Sequence, residues 1–172
     1  MTVSIRDARD SPLDREWIRN AYGEYLADLT SASMNTGMFP AFGKSAEFGD
    51  REPDLMARWF ADDSSHPLVI LQNDRPVGFA LVSRPPVNRR TDIDYRLAEF
   101  FVTASARRLG VGASAATLIF SRFAGRWEVV EFLRNTGAVA FWRTVIGKYT
   151  SGRFRESVAS GEVRHVFQSP KS

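Results

Sequence analysis

Between Leu97 and Ala124 the sequence changes character twice, and few folds accommodate both changes. Leu97 to Val102 is a short apolar and aromatic run broken only by Glu99, the composition of a strand buried on both faces. Thr103 to Arg108 is a polar turn that ends in two adjacent arginines. From Gly110 onward Ala116, Ile119, Phe120 and Phe123 recur at helical spacing, so a helix starts at the glycines and turns one face inward. A strand, a glycine-bearing turn and a helix N-terminus in succession make an anion site. The first N–H groups of the helix lack intrahelical partners, and its dipole favours negative charge. Gly110 and Gly112 carry no Cβ to keep a ligand off the backbone, and Arg107 and Arg108 add cations. The ligand this chemistry asks for is a phosphate or pyrophosphate. A strand-to-helix turn with no ligand is the plainer alternative.

The pattern extends further along the chain. Phe101-Val102 is followed by Arg107-x-x-Gly110-x-Gly112-Ala113. This resembles the acetyl-CoA-binding motif of the GCN5-related N-acetyltransferase (GNAT) superfamily, in which Arg/Gln-x-x-Gly-x-Gly/Ala follows the fourth strand. Downstream, Trp127-Glu-Val-Val-Glu-Phe132 looks like that family's fifth strand. Asn135-Thr-Gly-Ala138-Val-Ala-Phe141-Trp142 then looks like its Asn-x-x-Ala-x-x-Phe-Tyr helix. The motifs cover the second half of the chain; the first half matches by element order alone.

Composition narrows the remaining classes. A chain of 172 residues with 44% hydrophobic and 25% charged residues can build one substantial core, so residues 1–172 are expected to form a single domain. No apolar run is long enough to span a bilayer, and the N-terminus lacks the layout of a signal peptide, so no membrane association and a cytoplasmic location are expected. There is no cysteine, hence no disulfide and no Cys-type metal site. The net charge is +3, and the only lysines are Lys44, Lys148 and Lys171. Arginine suits bidentate binding of phosphate oxygens. The basic residues are scattered among acids rather than striped along one helix, which argues against nucleic acid as partner.

In chain order, Thr2 to Arg9 alternates as a strand, and Ser11-Pro12 opens a helix with Ser11 as its cap. Trp17, Ile18, Ala21, Tyr22, Tyr25, Leu26 and Leu29 carry that helix to about Leu29. Thr30 to Gly49 mixes Gly37, Pro40 and Gly43 with Met34, Met38, Phe39 and Phe42, the make-up of a covering loop or of a loop that plugs the core. Gly43-Lys44-Ser45 is not a nucleotide-binding loop, since Gly37 stands one residue too far upstream and no strand precedes it. A second helix is expected over Asp54–Ala61, then a hairpin of His66–Gln72 and Pro76–Ser83 about Asn73-Asp74-Arg75. Arg84 to Arg90 reads as a loop, Asp92 to Val102 as the strand before the glycine turn, and Thr150–Val158 with Glu162–Phe167 as a closing hairpin around Ser160-Gly161. The expected fold is α/β and GNAT-like: a mixed, mostly antiparallel sheet, β-α-α-β-β-β-α-β-α-β-β, with helices on both faces and a frayed C-terminal tail.

The resemblance implies a site. Backbone N–H groups of Leu109, Gly110, Val111, Gly112 and Ala113, helped by Arg107 or Arg108, would hold the pyrophosphate of coenzyme A. Backbone groups of Phe101, Val102 and Thr103 would pair with the pantetheine arm where the fourth strand splays from the fifth. Asn135 would bind the arm or cap its own helix. Ala138, Phe141 and Trp142 would flank the thiol end, or simply pack a core. The 30–49 segment would wall the acceptor site, where Asp50, Glu52, Asp54, Asp62 and Asp63 offer negative charge. The reaction implied is direct attack of a primary amine, on a small molecule or a peptide, on the acetyl-CoA thioester. Such a reaction needs a base. Glu99, a carboxylate inside an apolar run, is the candidate, because burial raises its pKa; a structural pairing with an arginine is the alternative, and Glu131 and Asp94 are reserves. Where many family members carry a Tyr that protonates the thiolate, this chain has Trp142, leaving Tyr149 as the candidate acid. Similar enzymes are often homodimers. His66 and His165 read as structural, and no metal is expected.

Two other classes stay open. The absent Tyr keeps alive a non-catalytic acyl-CoA-binding sensor or partner module. A dinucleotide-binding oxidoreductase fits worse, because the glycine turn falls in mid-chain without Gly-x-Gly-x-x-Gly or a ribose-binding acid at the right distance.

Overall fold

The computed structural model describes residues 1–35, 57–85 and 92–170. Strand β1 is Val3–Asp7, helix α1 is Pro12–Asn35, and residues 57–61 are helical (α2). A hairpin of β2 (Ser65–Gln72) and β3 (Arg75–Ser83) follows, then β4 (Tyr95–Val102), α3 (Val111–Arg122), β5 (Arg126–Phe132), α4 (Thr136–Thr150), β6 (Phe154–Ala159) and β7 (Glu162–Gln168). The strands form one seven-stranded sheet in the order β1-β2-β3-β4-β5-β7-β6. Every neighbouring pair is antiparallel except β4 and β5. The expected mixed, mostly antiparallel sheet is therefore present.

Local chemistry explains the boundaries. The β2–β3 hairpin turns on Asn73 and Asp74, both at positive φ, and the β6–β7 hairpin on Ser160 and Gly161, also both positive. Two left-handed central residues make the turn whose twist matches that of paired strands. Helix α1 runs past the expected end at Leu29, because Thr30 to Asn35 contains neither Gly nor Pro to stop it. The expected covering loop is thus helical at its start, and its remainder, residues 36–49, lies outside the described residues. So do Asp50, Glu52, Asp54 and the C-terminal Lys171-Ser172. Thr150 belongs to α4 rather than to the closing hairpin; its hydroxyl donates to the Ile146 carbonyl at 2.8 Å. The strand expected from Asp92 begins at Tyr95. No helix among the described residues is long and apolar enough to cross a membrane.

The sheet is covered on both faces. Strand β3 gives Phe79 and Leu81 to a cluster with Ile18, Tyr22, Tyr25, Trp59 and Phe101, beneath α1 and α2. It gives Ala80 and Val82 to the other side, where Ile119, Phe120, Trp127, Trp142 and Ile146 pack under α3 and α4. This two-sided burial is why β2 and β3 read as continuous apolar runs rather than as alternating ones. Each large side chain so buried contributes about 1.5–3 kcal/mol.

One irregularity shapes the centre. Leu81 of β3 faces Glu99 of β4, but the next residue, Val82, faces Leu97, so Ala98 is an extra, bulged residue. A bulge bends its strand and ends regular pairing. Accordingly β4 and β5 are paired only at Tyr95–Trp127 and Arg96–Glu128. There Glu128 is clamped between Arg96, at 3.0 Å, and Arg164, at 2.7 Å. Beyond that clamp the two strands part.

Candidate active site

The parting of β4 from β5 opens a cleft of about 1290 Å³. Its walls come from α1 (Tyr22, Tyr25, Leu26), β4, the glycine turn, β5 and α4.

At one end lies the N-terminus of α3. Gly110 caps the helix in the left-handed region (φ 80°), which glycine occupies at little cost. Helical pairing begins when the Ser114 N–H donates to the Gly110 carbonyl at 3.0 Å, so the N–H groups of Val111, Gly112 and Ala113 form the unpaired first turn. Gly110, Gly112 and Ala113 line the cleft; Leu109 is exposed beside it. A Cβ on Gly112 would stand 3.3 Å from the Phe141 ring, so this glycine lets α4 pack close as well as lining the cleft. One expectation changes here. Arg107 is committed elsewhere: its Nε donates to the Val102 carbonyl at 2.7 Å and its Nη2 pairs with Asp28 of α1. It braces the end of β4 against α1. Arg108, exposed and itself at φ 60°, has no hydrogen bond or ion pair among the described residues and is the cation left for an anion.

The β4 wall also differs from expectation. The Thr103 N–H donates to the Val77 carbonyl at 2.8 Å, which makes Thr103 a bonded partner of β3. Alternation along an antiparallel ladder puts Phe101 in the same class and turns the N–H and C=O of Phe100 and Val102 toward the gap. Arg107 occupies the Val102 carbonyl. The backbone groups facing the cleft are therefore those of Phe100 and the Val102 N–H, not those of Phe101 and Thr103.

Two carboxylates line the other end, Glu99 from β4 and Glu131 from β5. Burial pushes Glu99 up to about 6, opposed by a hydrogen bond donated by the Tyr25 hydroxyl of α1. The Glu99 environment is thus the apolar one expected of a base, and its partner is a tyrosine, not an arginine. Burial raises Glu131 too, against hydrogen bonds from the Phe132 N–H and from Asn135. Asn135 is the N-cap of α4, accepting from the Ala138 N–H at 3.3 Å. Both ends of its amide are thus used within the protein, and its capping role is the one seen. Ala138, Phe141 and Trp142 do line the cleft, with Trp142 edge-on to Phe100 at 5.0 Å.

Tyr149 is misplaced for an acid. It packs against Phe120 and Phe167, and its hydroxyl meets the Ser121 and Ser169 hydroxyls at 3.3 and 3.2 Å, two turns along α4 from Trp142 and outside the cleft lining. Asp94 sits at the closed end, accepting from the Arg126 N–H at 2.8 Å. Asp62 caps a turn through Ser64, outside the cleft lining. His66 packs on Phe123, and the fully buried His165 pairs with Glu156 at 2.8 Å. Among the described residues no cluster of three or more His, Asp or Glu side chains is arranged to hold a metal ion. Tyr25 is the site residue that sequence reasoning misses. Spacing shows it only as part of the apolar face of α1, and its contact with Glu99 spans 74 residues.

The fold is shared with solved acetyltransferases. An acetyltransferase from Thermus thermophilus is similar at a TM-score of 0.65 and 18% identity, over 98% of this chain and 97% of that one. The PaiA N-acetyltransferase from Thermoplasma acidophilum, solved with coenzyme A, is similar at 0.60 and 9% identity, over 98% and 99%. The ribosomal-protein-S18-alanine N-acetyltransferase from Escherichia coli is similar at 0.58 and 13%, over 99% and 96%. No curated protein sequence matches the chain. Residues 30–147 match the model of the Acetyltransferase (GNAT) family, and with the splayed sheet and the glycine-capped helix in view, the chain belongs to that family.

Proposed function

We propose that the protein is an acetyl-CoA-dependent N-acetyltransferase that acetylates a primary amine of a small molecule or peptide by direct attack on the thioester. The observation that carries this reading is the cleft itself: an open helix N-terminus at one end and a buried carboxylate at the other, joined by an unpaired strand edge. The pyrophosphate of coenzyme A fits the N–H groups of Val111 to Ala113 and the Arg108 guanidinium, and the arm fits the Phe100 backbone groups. Coenzyme A supplies the activated acyl group. Holding the two reactants together accounts for much of the acceleration, and the Val102 N–H is a suitable donor to the carbonyl oxygen as it gains charge. Glu99 takes the proton that the amine nitrogen loses as the carbon–nitrogen bond forms and the carbon–sulfur bond breaks. Among the described residues Tyr149 lies outside the cleft lining, and coenzyme A's thiol is acidic enough to leave as the anion.

The position of Tyr149 favours one second reading. With Trp142 lining the cleft and Tyr149 outside that lining, an acyl-CoA-binding module without turnover has the same binding groups. Calorimetric titration with acetyl-CoA, with NAD and ATP as controls, tests both readings; saturable micromolar binding of acetyl-CoA alone is expected. Thiol release on adding primary amines then separates enzyme from module. Failure to bind acetyl-CoA by folded protein overturns both.

A further inference from the structure

The Tyr25 ring is explained by packing. It is buried, 5.3 Å from the Phe79 ring, 5.6 Å from Phe101 and 5.7 Å from Tyr22. A phenylalanine would fill that space equally well. The hydroxyl is not explained by packing, because a buried O–H needs an acceptor. Its acceptor is Glu99, reached across the cleft from α1 to β4. We propose that Tyr25 is the positioning residue for Glu99, its hydroxyl aiming the carboxylate into the cleft and holding it ionised so that it can accept a proton. This rests on the function proposed above for its purpose, though not for its geometry.

The electrostatics agree. The titratable groups among the described residues that share the cleft with Glu99 are Tyr22 and Tyr25 from α1, Glu131 from β5, the mutually paired Arg107 and Asp28, and Arg108 at the glycine turn. Among the described residues no cation enters the balance on Glu99. Burial opposes its charge and the Tyr25 hydroxyl supports it. Tyr25 itself is pushed far up, first by burial and then by the Glu99 charge, so it stays a donor at any pH the enzyme meets. A hydrogen bond to a charged group sits between a fixed donor and the one group that titrates. Tyr25 therefore sets the pH at which the base becomes available.

The test is a pH titration of Glu99 by ¹³C NMR of protein labelled at glutamate carboxyls, the signal assigned by its loss in Glu99→Gln. In Tyr25→Phe the midpoint moves up by about one pH unit, the worth of a hydrogen bond to a charged acceptor. Difluorotyrosine at position 25, a stronger donor that keeps the hydroxyl, moves it down, which keeps the test open should Tyr25→Phe fold poorly. An unmoved midpoint in both variants overturns the proposal. Thiol release from acetyl-CoA with a panel of alkyl and peptide primary amines is then measured on the same proteins, and the acidic limb of kcat/KM follows the NMR midpoint. Movement of the NMR signal with no amine acetylated overturns the transferase reading and leaves the Tyr25–Glu99 pairing standing. Acetylation with both the NMR midpoint and the limb unmoved does the reverse, and a moved midpoint with an unmoved limb removes Glu99 as the base and so overturns the role proposed for Tyr25.

Discussion

Strands β4 and β5 begin together and end apart, and their two ends treat carboxylates in opposite ways. Where the strands pair, Glu128 is 5% exposed and held by two arginines, Arg96 and Arg164. Where they part, Glu99 and Glu131 are pushed up by burial, and their partners are a tyrosine, a backbone N–H and an asparagine. A buried carboxylate between cations is paired within the protein and serves the fold. One that meets only neutral donors has its proton affinity raised by burial and is free for chemistry. The same strands supply both kinds of carboxylate, and the bulge at Ala98 separates them.

The contrast can be broken most directly at Glu99. Glu99→Gln is expected to lower kcat by about 10²–10³-fold, the usual worth of a positioned base, with the acetyl-CoA dissociation constant unchanged by calorimetry. A loss of less than tenfold would remove Glu99 from the reaction. The converse change, Glu128→Gln, should leave kcat near that of the native protein and cost stability instead. Removing one partner of a fully buried pair costs several kcal/mol. The two arginines here are partly exposed, so about 2 kcal/mol is expected, a fall in Tm of about 5 °C. Thermal unfolding with turnover measured on the same sample checks both halves.

A last effect sharpens the comparison through pH. The folded state raises Glu99 from 4.5 to about 6. Between those values the folded protein binds more protons than the unfolded chain, so this residue's contribution to stability falls as pH rises through that window. Below it the cost is absent; above it the cost is complete. Glu99→Gln removes the cost, and the variant should be more stable than the native protein by about 2 kcal/mol at pH 7.5, with the difference gone below about pH 4.5. Urea unfolding at the two pH values reads this directly. A variant less stable at pH 7.5 would show that the Tyr25 bond outweighs burial.

What is legible in the sequence follows from how local each feature is. The glycine turn, the helix behind it and Asn135 with its helix are contiguous, so composition and spacing carry them. Glu99 stands out because one charge interrupts an apolar strand. The partners of these residues are not legible, since they arrive from elsewhere. Tyr25 comes from α1, Asp28 takes Arg107 from across the cleft, and the Phe141 ring packs close to Gly112. Tyr149 misleads because helical spacing puts it on the face of Trp142 but does not say how far along α4 the cleft extends. Ala98 leaves no mark at all: an added residue inside a strand buried on both sides still reads as apolar strand.

That added residue also settles a question of parity. Side chains alternate along a strand, so Leu97, Glu99 and Phe101 belong on one face of a regular β4. Leu97 does pack beneath α3 and α4, yet Phe101 packs beneath α1 and Glu99 meets Tyr25 there. Ala98 has shifted the count by one. In an even-counted strand Glu99 would be driven into the apolar layer under α3 and α4, and Phe101 after it, so the chain would face a buried lone charge instead of gaining a reactive one. The acidic group stands in the cleft because the strand carries an odd residue just before it.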